Sequence, residues 1–262
     1  MIQIGSMKLH YGIYLNRFLH IGVVLMYCIL LLNIILIPKK FPNIFSSHRV
    51  MNHGWQYRNY LFSIWGTIAQ FVYFCMYVAM DILEIQGGVL ALKIKQKMQS
   101  IASYMLFTFV FPLSVHIFIL FWCFYAWDRE YIYPRVLDDM APFWLNHILH
   151  TYPPVLSVIY MLISNENEPP IKSTFSGLAT LMTAYSLLSL YIKAVHGVWI
   201  YQAFNMFDGT LAKFILLYCA IGAIPFLFLG HKLNKILTGL KQKFFFSMPV
   251  SKESMLVHEK EM

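Results

Sequence analysis

Asn146, His147 and His150 stand at the head of an apolar run, and the two imidazoles, three residues apart, occupy neighbouring positions on one helical face. An imidazole beside a hydroxyl is a pairing suited to nucleophilic chemistry, because the ring takes the proton that makes the hydroxyl a weak nucleophile. Hydroxyls stand on a second apolar run at Ser63 and Thr67. Tryptophan favours the head-group level of a membrane, so Trp55 and Trp144 serve as depth markers on these two runs. At helical rise Ser63 lies about 12 Å below Trp55 and His150 about 9 Å below Trp144, whereas Thr67 lies about 6 Å deeper than Ser63. The estimate lets Ser63 and His150 meet. Simpler roles fit the same residues: an interfacial histidine pair bonded to its neighbours, and hydroxyls bonded back to helix carbonyls.

A loop dense in aromatic and charged residues, Phe121 to Arg135, precedes the histidines. Arg129 and Arg135 can be read as members of an aromatic belt with paired charges. Either can also be read as a bidentate clamp for a fatty-acid carboxylate at a cavity mouth. Pro153 and Pro154 follow the histidines and lack the amide protons that would bond the carbonyls of Leu149 and His150, so the helix must bend or open there.

These residues are carried by segments suited to lipid. Of the 262 residues 59% are hydrophobic and only 12% charged, about half the charged fraction of an average soluble domain, which excludes an ordinary globular protein. Six runs have the length and apolarity to cross a bilayer, at about 18–37, 61–83, 103–125, 144–163, 178–195 and 214–230. The first is too long, and begins too far in, for a cleavable secretory signal. The expectation is an all-α integral membrane protein, one multi-pass domain over 1–262 with about six transmembrane helices and a polar tail over 231–262. The stretch Val89 to Met98, with Lys93, Lys95 and Lys97, reads as a polar-edged loop or short surface helix.

Net charge is +8. The basic residues lie in short connections rather than on one polar face, which points to phospholipid head groups and away from nucleic acid. With six crossings, twelve Lys and Arg fall on the side of the termini and seven on the other, so both termini are expected in the cytoplasm. Cys28, Cys75, Cys123 and Cys219 all sit in apolar segments and read as small hydrophobes. His116, His147, His150 and His196 map toward one surface and raise the question of a metal. No Glu-x-x-His pattern accompanies them, and neither metal nor cofactor is expected.

The stretch Phe121 to Thr151, FWCFYAWDREYIYPRVLDDMAPFWLNHILHT, resembles the family of the androgen-induced and androgen-dependent TFPI-regulating proteins. The shared words are FW, YA with DRE and IYP, a basic residue before LD, and P with WLNH and HT. Weaker matches extend the likeness to most of the chain, among them FPLS at Phe111 to Ser114 and GVWIY at Gly197 to Tyr201. The resemblance implies a threonine-type hydrolase of fatty acid esters of hydroxy fatty acids. For its membrane, endoplasmic reticulum and plasma membrane are both open. The resemblance assigns the base to the second histidine of NHxxH, His150. It assigns the nucleophile to the position seven before a glutamine, which counting from Gln70 is Ser63. This chain departs from the family pattern in having serine for threonine, in the spacing from Trp55, and in Gln202 where the family has proline. On that reading Asn146 or His147 steadies the ring or donates to the oxyanion, and Arg129 or Arg135 meets the substrate carboxylate. Two other classes compete with it: a lipid-sensing scaffold or transporter, and a histidine-metal enzyme.

Overall fold

The computed structural model describes residues 2–164, 166–206 and 209–246, and among these the regular structure is entirely helical. α1 (Ile2–Lys40), α4 (Phe62–Gln86) and α9 (Ile171–His196) are single long rods. Between α1 and α4 the chain forms two short helices, α2 (Pro42–Ser47) and α3 (Arg49–Gln56), and a 3₁₀ turn at Arg58–Tyr60. α5 (Val89–Met105) passes through one π-helical turn, Leu106–Val110, into α6 (Phe111–Asp128). Pro112 has no amide proton for the Thr108 carbonyl, and a widened turn is how a helix absorbs such a gap. Gly87 and Gly88, at φ 66° and 87°, make the reversal from α4 into α5 in a backbone region that side chains disfavour.

The expected fourth span is divided. α7 (Phe143–His150) and α8 (Tyr152–Ile163) meet at Thr151, and the two prolines occupy the first turn of α8, where missing amide protons cost nothing. Among the described residues five helices are individually long and apolar enough to cross a membrane. α7 and α8 nevertheless traverse the bundle as a broken sixth pass. His150 stacks on Phe121 near the end of α6, while Glu166, just past α8, accepts a hydrogen bond from Ser103 on α5 at 2.5 Å.

Cross-links fix the directions of the other passes. Tyr27 on α1 donates to Gln70 on α4 at 2.9 Å, and His20 meets Asp81 at 2.6 Å, so α1 and α4 are antiparallel. Gln70 donates to the Pro153 carbonyl and Tyr77 packs on Tyr160, so α4 and α8 run the same way. α10 (Gly209–Ile221) and α11 (Ile224–Phe246) make the last pass, on which His231 meets Glu168 and Thr174 at 2.8 and 3.0 Å. α1 therefore enters and α11 leaves at the same end of the bundle, which we call the carboxylate end after Asp81, Glu84 and Glu166.

Three segments differ from their sequence expectation. Lys93, Lys95 and Lys97 belong to the long α5–α6 rod and not to a loop, and Lys95 pairs with Glu84 at 3.2 Å. Residues 231–246 of the expected tail continue α11 as helix, with His231 and Asn234 buried, and 247–262 lie outside the described residues. α4 begins only at Phe62, after an extended Leu61, so the depth counted from Trp55 along one continuous helix does not hold.

Most large side chains facing outward are apolar, among them Phe18, Leu25, Ile85 and Leu187, as lipid contact requires. Inside, close approach is set by small residues. A Cβ at Gly230 on α11 would lie 2.7 and 3.1 Å from ring atoms of Phe111 on α6, whereas one at Gly22 on α1 would meet nothing within 4 Å. Gly230→Ala is accordingly expected to destabilise the bundle by about 1–3 kcal/mol through overpacking, read as a lowered Tm in detergent. Gly22→Ala is expected to leave Tm unchanged or slightly raised, and equal melting of the two variants would refute this packing.

Candidate active site

At the end opposite the carboxylates a cavity of about 690 Å³ opens between α1, α3, α4, α6, α7, α9 and α10. Its walls are mostly aliphatic and aromatic, which suits an acyl chain. Long-range ties hold the roof. His53 on α3 bonds the Trp199 and Ile200 carbonyls at 2.7 and 3.1 Å, and Tyr185 on α9 donates to the Tyr60 carbonyl at 2.8 Å.

Ser63, Asn146 and His150 all line this cavity. Asn146 and His150 are one turn apart on α7, a spacing that stacks side chains on one helical face. The Asn146 Oδ1 accepts from His150 Nδ1 at 2.7 Å, which puts the ring proton on Nδ1 and leaves the Nε2 lone pair free. Phe121 lies flat against the imidazole at 3.5 Å between centroids and 6° between planes, so the ring cannot swing. The Asn146 Nδ2, on a side chain 3% exposed, has no hydrogen-bond partner among the described residues. A buried amide donor left this way costs free energy until something in the cavity accepts from it.

Ser63 is the second residue of α4. Helix starts leave backbone N–H groups unpaired, and here the Tyr201 phenol oxygen accepts from the Phe62 amide at 2.8 Å and lies beside the Ser63 hydroxyl. Loss of surrounding water pushes the Tyr201 phenol above its ordinary range, so it keeps its proton and remains a donor. Ser63 and His150 share the cavity without sharing a hydrogen bond. Thr67 is different: it is 1% exposed, its hydroxyl donates to the Ser63 carbonyl at 2.9 Å, and it does not reach the cavity wall.

The remaining sequence candidates lie elsewhere. His147 bonds the Thr151 hydroxyl at 2.9 Å within a ring of Trp122, Phe143 and Tyr152, outside the cavity lining. Arg129 holds its own loop, donating to Asp138 at 2.7 Å and to the Tyr133 carbonyl at 3.1 Å. Arg135 is solvent-exposed and 3.6 Å from Glu130. Neither arginine lines the cavity. Among the described residues no three His, Cys, Asp or Glu side chains are placed to hold a metal ion.

Sequence reasoning missed three cavity residues. His116, weighed only as a metal ligand, lies in the wall, its ring against the backbone of Cys219 and Gly222. Tyr201 and Arg58 arrive from connecting segments, and the sequence assigned neither a role in the site.

The model of the FAR-17a/AIG1-like protein family matches residues 16–235. The androgen-induced gene 1 protein of Homo sapiens is 29% identical over 221 residues, covering 82% of this chain and 88% of that protein. The androgen-dependent TFPI-regulating proteins of Homo sapiens and Mus musculus are 34% and 32% identical over 129 residues, covering 48% of this chain and 55% of each relative. No solved structure matches the chain. With the match running from α1 into α11 and taking in every cavity-lining residue named above, the chain belongs to the FAR-17a/AIG1-like family.

Proposed function

We propose that this multi-pass membrane protein is a hydrolase of fatty acid esters of hydroxy fatty acids, with Ser63 as nucleophile and His150 as base. The observation that carries the reading is one apolar cavity lined by a hydroxyl at a helix start and by an imidazole whose Nδ1 is tied down and whose Nε2 is free. The cavity opens at the end where α4 begins, so acyl chains lie among apolar walls while the ester carbonyl reaches Ser63.

The His150 Nε2 accepts the Ser63 proton as Oγ attacks the ester carbonyl. Negative charge collects on the carbonyl oxygen, where the unpartnered Asn146 Nδ2, the Tyr201 hydroxyl and the positive end of α4 stabilise it. The imidazolium then returns its proton to the departing alkoxide, which leaves as the hydroxy fatty acid. Water, deprotonated by His150, hydrolyses the acyl-Ser63 ester and releases the second fatty acid. No carboxylate is needed to orient the base, because the Asn146 oxygen does that work.

Hydrolysis of a branched fatty-acid ester by purified protein, with fluorophosphonate labelling of Ser63, tests the reading. Absence of both from the wild type would leave a lipid-binding bundle. Asn146 offers a finer check. Asn146→Asp retains an acceptor for Nδ1–H but donates nothing, so kcat is expected to fall about 10²- to 10³-fold with KM little changed. An undiminished kcat would remove Asn146 from the oxyanion site.

A further inference from the structure

Among the described residues lining the cavity, histidines apart, Arg58 is the one that carries a formal charge. It is half-buried at the 3₁₀ turn between α3 and α4. Its guanidinium carbon sits 3.9 Å from the centroid of the Trp55 ring, and Nη1 donates to the Trp55 carbonyl at 2.7 Å. Stacking and that single bond fix the plane of the fork and leave Nε and Nη2 without a partner among the described residues. Of the other four arginines, Arg17, Arg129 and Arg135 stand within salt-bridge reach of a carboxylate, and Arg49, at the start of α3, does not among the described residues. A cation held rigid on an apolar wall, with no counter-ion among the described residues, is arranged for an anion that arrives with an apolar ligand.

We propose that Arg58 binds the free carboxylate of the substrate, so that the site selects anionic acyl esters over neutral ones. This rests on the hydrolase reading for the reaction, though not for the binding. Five residues separate Arg58 from Ser63, which limits their Cα separation to at most about 17 Å. A carboxylate at Arg58 thereby limits how far along the substrate chain the ester presented to Ser63 can lie. The role expected of Arg129 or Arg135 thus passes to a residue on the nucleophile's own segment.

The test compares a branched ester bearing a free carboxylate with its methyl ester, using the full chain in detergent or nanodiscs. Arg58→Gln is expected to lower kcat/KM about 10- to 100-fold for the acid, chiefly through KM, while changing the methyl ester little. Arg58→Lys, a point charge without the fork, is expected to fall between. Undiminished activity on the methyl ester also reports that the variant is folded. An equal loss on both substrates, or on neither, overturns the proposal.

A second arm needs no turnover. In Ser63→Ala protein, photo-crosslinking of a diazirine-bearing palmitate is expected to be competed at least about tenfold better by palmitate than by methyl palmitate. That preference is expected to vanish in Ser63→Ala/Arg58→Gln. Should the wild type hydrolyse neither ester while the preference persists, the hydrolase reading fails and the Arg58 site stands. Hydrolysis without any preference for the acid has the opposite meaning.

Discussion

Ser63→Ala is expected to abolish fluorophosphonate labelling and to lower hydrolysis about 10⁴-fold or more, the scale on which removal of a covalent nucleophile acts when oxyanion donors remain. Thr67→Ala is expected to leave both nearly intact. The contrast follows from where the two hydroxyls point. Thr67 is sealed and bonded back to the Ser63 carbonyl, a local bond whose loss costs a helix little. Ser63 meets the cavity at the first turn of α4, beside the Tyr201 phenol. Labelling that survives Ser63→Ala and disappears with Thr67→Ala would move the nucleophile one turn deeper and require α4 to rotate.

The part of the site that was legible in the sequence is the part built from neighbours in the chain. Asn146 and His150 are spaced to meet on any helix, and Pro153 and Pro154 announce a break wherever they fall inside an apolar run. The pairing of Ser63 with His150 rested on the family resemblance and on a depth count, and the premise of the count does not hold. Arg58 to Tyr60 form a 3₁₀ turn and Leu61 is extended, so Ser63 opens its helix instead of standing two turns inside it. That the two residues still share a cavity owes more to the roof than to their depth. α2 and α3 fold over the mouth, and His53 ties them to the Trp199 and Ile200 carbonyls some 146 and 147 positions away.

The same distinction explains Arg58, Tyr201 and the end of α11. Local sequence marks Arg58 as a loop cation near a tryptophan, and only closure of the bundle turns the Trp55 ring and the guanidinium toward one wall. Tyr201 reaches the start of α4 across 139 residues to accept the Phe62 amide, a contact that no periodicity encodes. Lysines at 232 and 235 made 231–262 read as a tail. Yet His231 and Asn234, on the same turns, are buried, and His231 is satisfied by Glu168 and Thr174. A helix end that mixes solvated lysines with buried polar groups scores as polar in sequence even when half of it is core.

Replacement of His150 carries the other large effect. His150→Ala is expected to reduce hydrolysis about 10⁴-fold or more, with substrate binding retained, because the ring acts on the proton and not on the acyl chains. The double variant Ser63→Ala/His150→Ala is expected to lose no more than either single variant, since nucleophile and base act as one unit. His147→Ala supplies the contrast: its ring bonds Thr151 among Trp122, Phe143 and Tyr152, away from the cavity, so the rate is expected to change little. The flat slot left beside Phe121 in His150→Ala also has the shape of free imidazole, and added imidazole is expected to restore part of the rate. Independent, additive losses at Ser63 and His150, with no rescue, would mean that the two side chains shape the cavity separately and that proton transfer between them is not how the ester is opened.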